Sequence, residues 1–222
     1  MKEFLPVIKS SPLFNNVSEA DIETLLSCQN AKVRAFAKNG YLFHAGEHTQ
    51  DLGMLLRGSV QIIQEDFWGN RNLLAKVRPG QIFAESFACI PSATLNVSVV
   101  AEEPSCALFL NALRLLAPCP AACAFHGNVV QNLLRDLAGK NLRLNEKLTH
   151  MSQRTTRDKL LSYLSAEALH KGGPSFDIPF NRQQLADYLC VERSAMSKAL
   201  CVLRDEGVIR FSKNRFELVK EN

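Results

Sequence analysis

Seven residues constrain this chain of 222 more than any others: Val130, Leu134, Leu137, Asn141, Leu144, Leu148 and Met151 follow one another at steps of 4, 3, 4, 3, 4 and 3. Alternating steps of three and four keep every member on one stripe of an α-helix, and a stripe sustained with a period near 3.5 is a coiled-coil seam. The flanks of the stripe read as polar, so the helix needs a partner, and the simplest is a second copy lying parallel to it. Asn141 at a seam position then fixes register and two-strandedness at some loss of stability. The alternative is a helix packed along its own domain. The seven residues are thus the expected dimer interface.

Upstream the period is two. From Val33 to Leu110 short apolar runs are punctuated by Gly40, Gly46, Gly53, Gly58, Gly69 and Gly80. MLLRGSVQII and LNVSVVA are rich in strand formers, and DFWGN between two such runs reads as a hairpin turn, which predicts an antiparallel roll or barrel. Ser18 followed by Glu19 and Asp21 is an N-cap with an acidic first turn, so a helix precedes the roll. Downstream of Pro118 and Pro120 comes the seam, and Thr155-Thr-Arg-Asp158 is a capping box that opens the helix RDKLLSYLSAEALH. The hinge therefore falls at residues 153–155. Gly172 and Gly173 end that helix, and PSFDIPF reads as a short strand.

Residues 181–209, NRQQLADYLCVERSAMSKALCVLRDEGVI, hold two short helices joined by the turn Cys190-Val191-Glu192. Leu185, Ala186 and Leu189 point inward from the first, and Ala195, Met196, Ala199, Leu200 and Leu203 from the second. Ala186 is the small residue that a tight helix crossing needs. The second helix offers Arg193, Ser194, Ser197 and Lys198 on its outer N-terminal face, the types that meet base edges and phosphates in a major groove. Gly207-Val-Ile-Arg-Phe and Arg215-Phe-Glu-Leu-Val flank Lys213-Asn214 as a hairpin wing. Arg182, Arg193, Ser194, Ser197, Lys198 and Lys213 are the expected DNA contacts.

Charge agrees with this placement. Residues 1–117 carry 10 basic and 11 acidic side chains, and residues 118–222 carry 16 and 11, which puts the basic excess in the half with the helix pair. No stretch approaches the roughly 18–20 apolar residues that span a bilayer, and the N-terminal segment has neither an unbroken apolar core nor a small-residue cleavage site. A cytoplasmic chain without membrane contact is expected. Seven cysteines, at 28, 89, 106, 119, 123, 190 and 201, have no framework spacing and read as reduced thiols, mostly small core residues. No phosphate-binding loop, nucleophile elbow or HExxH motif occurs, so catalysis is not expected.

Taken together, Phe43-His-Ala-Gly-Glu47, Leu55-Leu-Arg-Gly-Ser-Val60, Pro79-Gly-Gln-Ile-Phe-Ala-Glu85 and the helix pair, in this order and with a seam helix between, resemble the family of the cyclic-AMP receptor protein and the fumarate/nitrate reduction regulator, Crp/Fnr, from about Leu13 to Leu218. The resemblance implies an α+β fold. An antiparallel β-roll, or jelly roll, of eight strands, cyclic-nucleotide-binding-like, with an N-terminal helix occupies residues 1–117. A dimerisation helix occupies 118–153, and a winged helix-turn-helix DNA-binding domain, whose orientation depends on ligand, occupies 154–222. It further implies a transcription regulator that binds an inverted-repeat operator as a homodimer, with RNA polymerase as a further partner.

Members that bind cyclic AMP hold the ribose with a glutamate, matched here by Glu85, and the phosphate with an Arg-Ser pair. That pair falls at Leu95 and Asn96, and no arginine lies between Arg78 and Arg114. Burying the cyclic phosphate without its cation is costly, and the polar helix position that meets the purine falls at Leu144. The expected effector is therefore an uncharged or weakly polar small molecule, or an apolar acid, lined by Glu85, Ser86, Leu95, Asn96, Asn141, Leu144 and Asn145. With only Cys28 in the first 88 residues, an iron–sulfur centre of the fumarate/nitrate type is not expected. The alternatives are a haem sensor using one of His44, His48, His126 and His150, a thiol or metal sensor built on Cys119-x3-Cys123-x2-His126, and a DNA-binding protein without ligand control. No cofactor and no metal are assigned.

Overall fold

A computed structural model describes residues 2–68, 71–117 and 124–219. The tip of the DFWGN turn at Gly69 and Asn70, and the pair Cys119 and Cys123, lie outside the described residues. Two compact units divide the chain, Met1–Ala138 and Gly139–Asn222.

In the first unit α1 (Leu5–Ser10) and α2 (Glu19–Cys28) precede eight strands: β1 (Lys32–Phe36), β2 (Tyr41–Phe43), β3 (Asp51–Arg57), β4 (Val60–Glu65), β5 (Arg71–Val77), β6 (Ile82–Phe83), β7 (Ser98–Ala101) and β8 (Ser105–Asn111). α3 (Glu85–Ala88) follows β6 and α4 (Ala112–Leu116) follows β8. α2 starts where its cap dictates, the Ser18 side chain accepting from the Asp21 amide at 3.2 Å. The strands pair antiparallel in two four-stranded sheets, ordered β1-β8-β3-β6 and β2-β7-β4-β5. This is the predicted roll.

The apolar runs Met54-Leu-Leu56 and Cys106-Ala-Leu-Phe-Leu110 do not alternate with polar residues because the sheet that holds them is covered on both faces. Leu52, Met54 and Leu56 of β3, with Cys106, Leu108 and Leu110 of β8, pack on Ile8, Phe14, Ile22 and Leu25 of the N-terminal segment. The intervening Leu55, Ala107 and Phe109 turn into the roll. There Phe43, Phe83 and Phe109 meet edge to face with centroids 5.7–6.4 Å apart, the arrangement that ring quadrupoles favour. Gly58, at the β3–β4 turn, has φ +87°, and a Cβ there would sit 2.8 Å from the Pro104 carbonyl oxygen. The glycine of Leu55-Leu-Arg-Gly-Ser-Val60 is thus required by backbone approach rather than by a ligand.

One long helix, α5 (Ala124–Met151), carries the seam. Leu134, Leu144 and Leu148 are 66%, 57% and 52% exposed. Contrary to the expectation of a single apolar stripe, a second one is buried: Val129 and Leu133 join the first unit's core, Leu137 packs against it, and the Asn132 amide donates to the carbonyl oxygens of Leu13 and Asn15 at 3.1 and 2.8 Å. Those residues sit one position from Val130 and Leu134, so an i, i+4 pair that reads as polar-flanked in isolation is a roll-facing stripe. Cysteine placement also differs from expectation. Cys28, Cys190 and Cys201 are exposed, and only Cys106 is fully buried among the described cysteines, all of which are free thiols.

The second unit comprises the end of α5, α6 (Thr156–Lys171), β9 (Ser175–Asp177), α7 (Arg182–Leu189), α8 (Arg193–Asp205), β10 (Ile209–Ser212) and β11 (Arg215–Leu218). Thr155 caps α6 by accepting from the Asp158 amide at 3.1 Å, and Gly172 ends it at φ +72°. The Thr155 hydroxyl donates to the Asp158 carboxylate. Near the end of α5, His150 is buried, its Nδ1 lying 2.8 Å from the Ser162 hydroxyl, with the rings of Tyr163 and Tyr188 at 5.8 and 6.5 Å. Burial pushes its imidazole below the ordinary value. No helix among the described residues is long and apolar enough to cross a membrane.

Candidate nucleic-acid interface

The helix pair is built from its caps inward. Asn181 and Gln184 make a reciprocal capping box: the Asn181 side chain accepts from the Gln184 amide, and the Gln184 side chain from the Asn181 amide, each at 2.9 Å. α7 ends at Cys190 in the left-handed region, φ +51°, where the chain reverses; the Val191 amide bonds to the Ala186 carbonyl at 3.0 Å. Leu185, Ala186 and Leu189 of α7 and Met196, Leu200 and Leu203 of α8 are each at most 1% exposed and share one core with Leu160, Leu164 and Phe216. Ala199 is half-buried against it, as expected. Ala195 is exposed instead of inward, because the buried stripe runs 196, 200, 203 and leaves position 195 on the edge.

With that stripe seated, the opposite face of α8 is the solvent face. Arg193, Ser194 and Lys198 are exposed and Ser197 is half-buried, at spacings that keep the four side by side at the helix N-terminus. β10 and β11 form a hairpin in register Ser212↔Arg215, with Lys213 at its tip in the left-handed region and β9 pairing on the far side of β11. Lys213 is exposed. Sequence reasoning missed two wing cations. Arg210 is 74% exposed on its side chain and lies 4.0 Å from Glu217, and exposed Arg215 reaches the Ser175 hydroxyl at 3.5 Å. The signal was the period-two alternation of Ile209-Arg-Phe-Ser and Arg215-Phe-Glu-Leu, which turns the phenylalanines in and the arginines out.

Arg182 stands at the start of α7, not on the N-terminal face of α8. It is half-buried, and its guanidinium lies 4.9 and 5.0 Å from the ring centres of Phe211 and Phe216.

The expected effector residues fall in both units. In the first, Glu85 is buried in the opening turn of α3 beside Cys89, whose thiol is pushed up by burial and by that carboxylate. Leu95 is 1% exposed, with its amide donating to Glu47 and its carbonyl accepting from Gly46, while Ser86 and Asn96 are exposed. In the second, Asn141, Leu144 and Asn145 are exposed, and the Asn145 amide donates to the Asn141 side chain at 2.8 Å. A cleft of about 380 Å³ on the roll is lined by other residues, among them Lys38, Gln61, Leu73 and Glu102. Hydrogen bonds, first from Lys76, hold the Glu102 carboxyl below the usual carboxylate range. Of the histidines, His126 places Nε2 2.6 Å from the Leu115 carbonyl oxygen, and His44 stacks on Tyr41 at 4.2 Å.

Residues 33–118 match the cyclic nucleotide-binding domain family, and residues 158–222 match the Crp-like helix-turn-helix domain family. The chain is 26% identical over 215 residues to a cyclic AMP receptor protein of Thermus thermophilus, covering 95% of this chain and 94% of that one. It is 28% identical over 165 residues to a protein of Rhizobium leguminosarum bv. viciae named as a probable transcriptional activator, covering 67% and 65%. Among solved structures, the c-di-GMP-responsive global regulator CLP of Xanthomonas campestris superposes with a TM-score of 0.55 at 16% identity, over 92% of this chain and 100% of that one, a likeness of fold.

Proposed function

Since this chain joins a cyclic nucleotide-binding domain to a Crp-like helix-turn-helix domain and so belongs to the Crp/Fnr family of transcription regulators, we propose that it binds an inverted-repeat operator as a homodimer in the cytoplasm and acts on transcription there with RNA polymerase, without catalysis of its own. The observation that carries the proposal is the face formed by Arg193, Ser194, Ser197 and Lys198 on a helix whose opposite side is fully buried. A helix held by a packed core presents its outer residues rigidly, and an arginine near its N-terminus has the planar pair of donors that matches guanine O6 and N7. Lys198, a point charge, suits phosphate. Lys213 adds a phosphate contact from the wing.

The exposed leucines of α5 support dimerisation, since three half-exposed leucines at seam spacing are stabilised when a second copy covers them. Two recognition helices related by the dimer axis then read half-sites whose centres lie roughly 34 Å apart. The effector is a small molecule other than cyclic AMP, because Leu95, apolar and buried, stands where cyclic-AMP binders carry the phosphate's arginine. Glu85, Ser86, Asn96, Asn141, Leu144 and Asn145 complete its proposed lining.

The test is selection of bound duplexes from a randomised pool by the purified protein, with mass spectrometry of the same preparation for a co-purified small molecule. Enrichment of an inverted repeat with half-sites one turn apart is expected. Recovery of unselected sequence after several rounds would overturn the proposal of specific DNA binding.

A further inference from the structure

We infer that Arg182 is a positioning residue that clamps the wing onto the helix pair, so that its influence on DNA passes through β10 and β11 rather than through a contact of its own. The inference rests on the DNA-binding function proposed above and reassigns one of its expected contacts. Arg182 opens α7, a place from which a long cationic side chain has free access to water. It folds inward instead. Its guanidinium carbon lies 4.9 Å from the Phe211 centroid and 5.0 Å from that of Phe216. These two residues are cross-strand partners in the wing, with rings 5.7 Å apart and inclined by only 30°. Arg204 of α8 approaches Phe211 as well, at 6.0 Å.

Two observations show that the placement is enforced. Nη1 of Arg182 is buried without a hydrogen-bond partner, and burial pulls the guanidinium below its ordinary pKa. No carboxylate forms an ion pair with it among the described residues. A guanidinium held where it forfeits a hydrogen bond and part of its hydration is retained by the ring faces beside it, a cation–π contact that strengthens on desolvation. A planar group can lie flat across two near-parallel rings, and an ammonium cannot.

The wing needs such a fastening. Phe216 and Ile209 are fully buried in the core and β9 pairs on the far side of β11, but β10 is an edge strand of four residues whose other apolar side chain, Phe211 beside the tip, is only half-buried. An edge strand paired on one side and anchored at its first residue is the part of such a sheet that opens most readily. Arg182 ties that outer strand to the first turn of α7, and with it the tip that carries Lys213 and the strand that carries Arg215.

The experiment compares wild type with Arg182→Met, which keeps the stem but loses the charge and the plane, alone and in a Lys213→Ala/Arg215→Ala background. Hydrogen exchange of the β10 and β11 amides is measured on the free protein, and DNA binding over a series of salt concentrations. Clamping predicts faster wing exchange with α8 amides unchanged. It also predicts a salt slope shallower by about two, so that the affinity loss shrinks roughly tenfold between 50 and 200 mM salt, and no further loss in the background that already lacks the wing cations. A direct phosphate contact predicts unchanged wing exchange and a loss of about one slope unit that persists in that background, and this result would overturn the inference. Exchange that quickens in α7 and α8 together with the wing would overturn it too, as a general folding defect. If the wild type bound no duplex selectively, the function would fall, while the exchange comparison would still decide the clamp.

Discussion

Replacing Leu144 by aspartate tests the seam with a calculable effect. Leu144 is 57% exposed. Fully burying a leucine side chain is worth about 1.5–3 kcal/mol, so withdrawing that fraction on each of two chains stabilises a dimer by about 2–3 kcal/mol. Leu144→Asp removes this and sets two carboxylates against each other across the seam, which adds about 1 kcal/mol of repulsion even at the dielectric of water. The sum, about 3–4 kcal/mol, is on the order of a few hundredfold in dissociation constant. Leu142 supplies the control. It lies on the same helix, is 70% exposed and stands off the seam, so Leu142→Asp carries the same loss of helix propensity without the interface. Leu137→Asp is a poorer test, because Leu137 also packs on the core of the first unit. Sedimentation velocity over a concentration series reads the outcome: Leu144→Asp monomeric where wild type and Leu142→Asp are dimeric. Dimerisation of Leu144→Asp at wild-type concentrations would remove the seam from the interface.

Arg193→Ala is expected to cost about 1–3 kcal/mol and to relax preference at one guanine per half-site, whereas Lys198→Ala should weaken all sequences alike and flatten the salt slope by about one; binding to an operator and its single-base variants checks both, and full base preference in Arg193→Ala would refute the assigned face. Calorimetry should detect no cyclic AMP binding at physiological nucleotide concentration, and a micromolar dissociation constant would refute the reasoning from Leu95. Burial holds His150 below its ordinary value, so in acid the unfolded chain takes up a proton before the folded one does. The stability this contributes is present above about pH 6.5 and is lost as pH falls below it. Urea denaturation between pH 8 and 5 should show that slope reduced in His150→Phe, and an unchanged slope would show that His150 does not cause it.

Local pattern determined much of this protein. The long helix that carries the seven-residue stripe, the caps at Ser18 and Thr155, the glycine end at Gly172 and the wing hairpin were legible, because each depends on period or turn chemistry within a few neighbouring residues. The solvent face of α8 was legible too, since once Met196, Leu200 and Leu203 point inward, helical geometry alone turns Arg193, Ser194 and Lys198 outward. What the sequence could not settle depended on elements distant in the chain. Val129 and Leu133 face the core only because the N-terminal segment returns to cover them, with the carbonyls of Leu13 and Asn15 receiving Asn132. Arg182 reads as a DNA contact by type and position, and nothing near it in the chain shows that its guanidinium lies about 5 Å from the rings of Phe211 and Phe216. A side chain's type states what it can bind, and only tertiary packing decides which of its possible partners stands within reach.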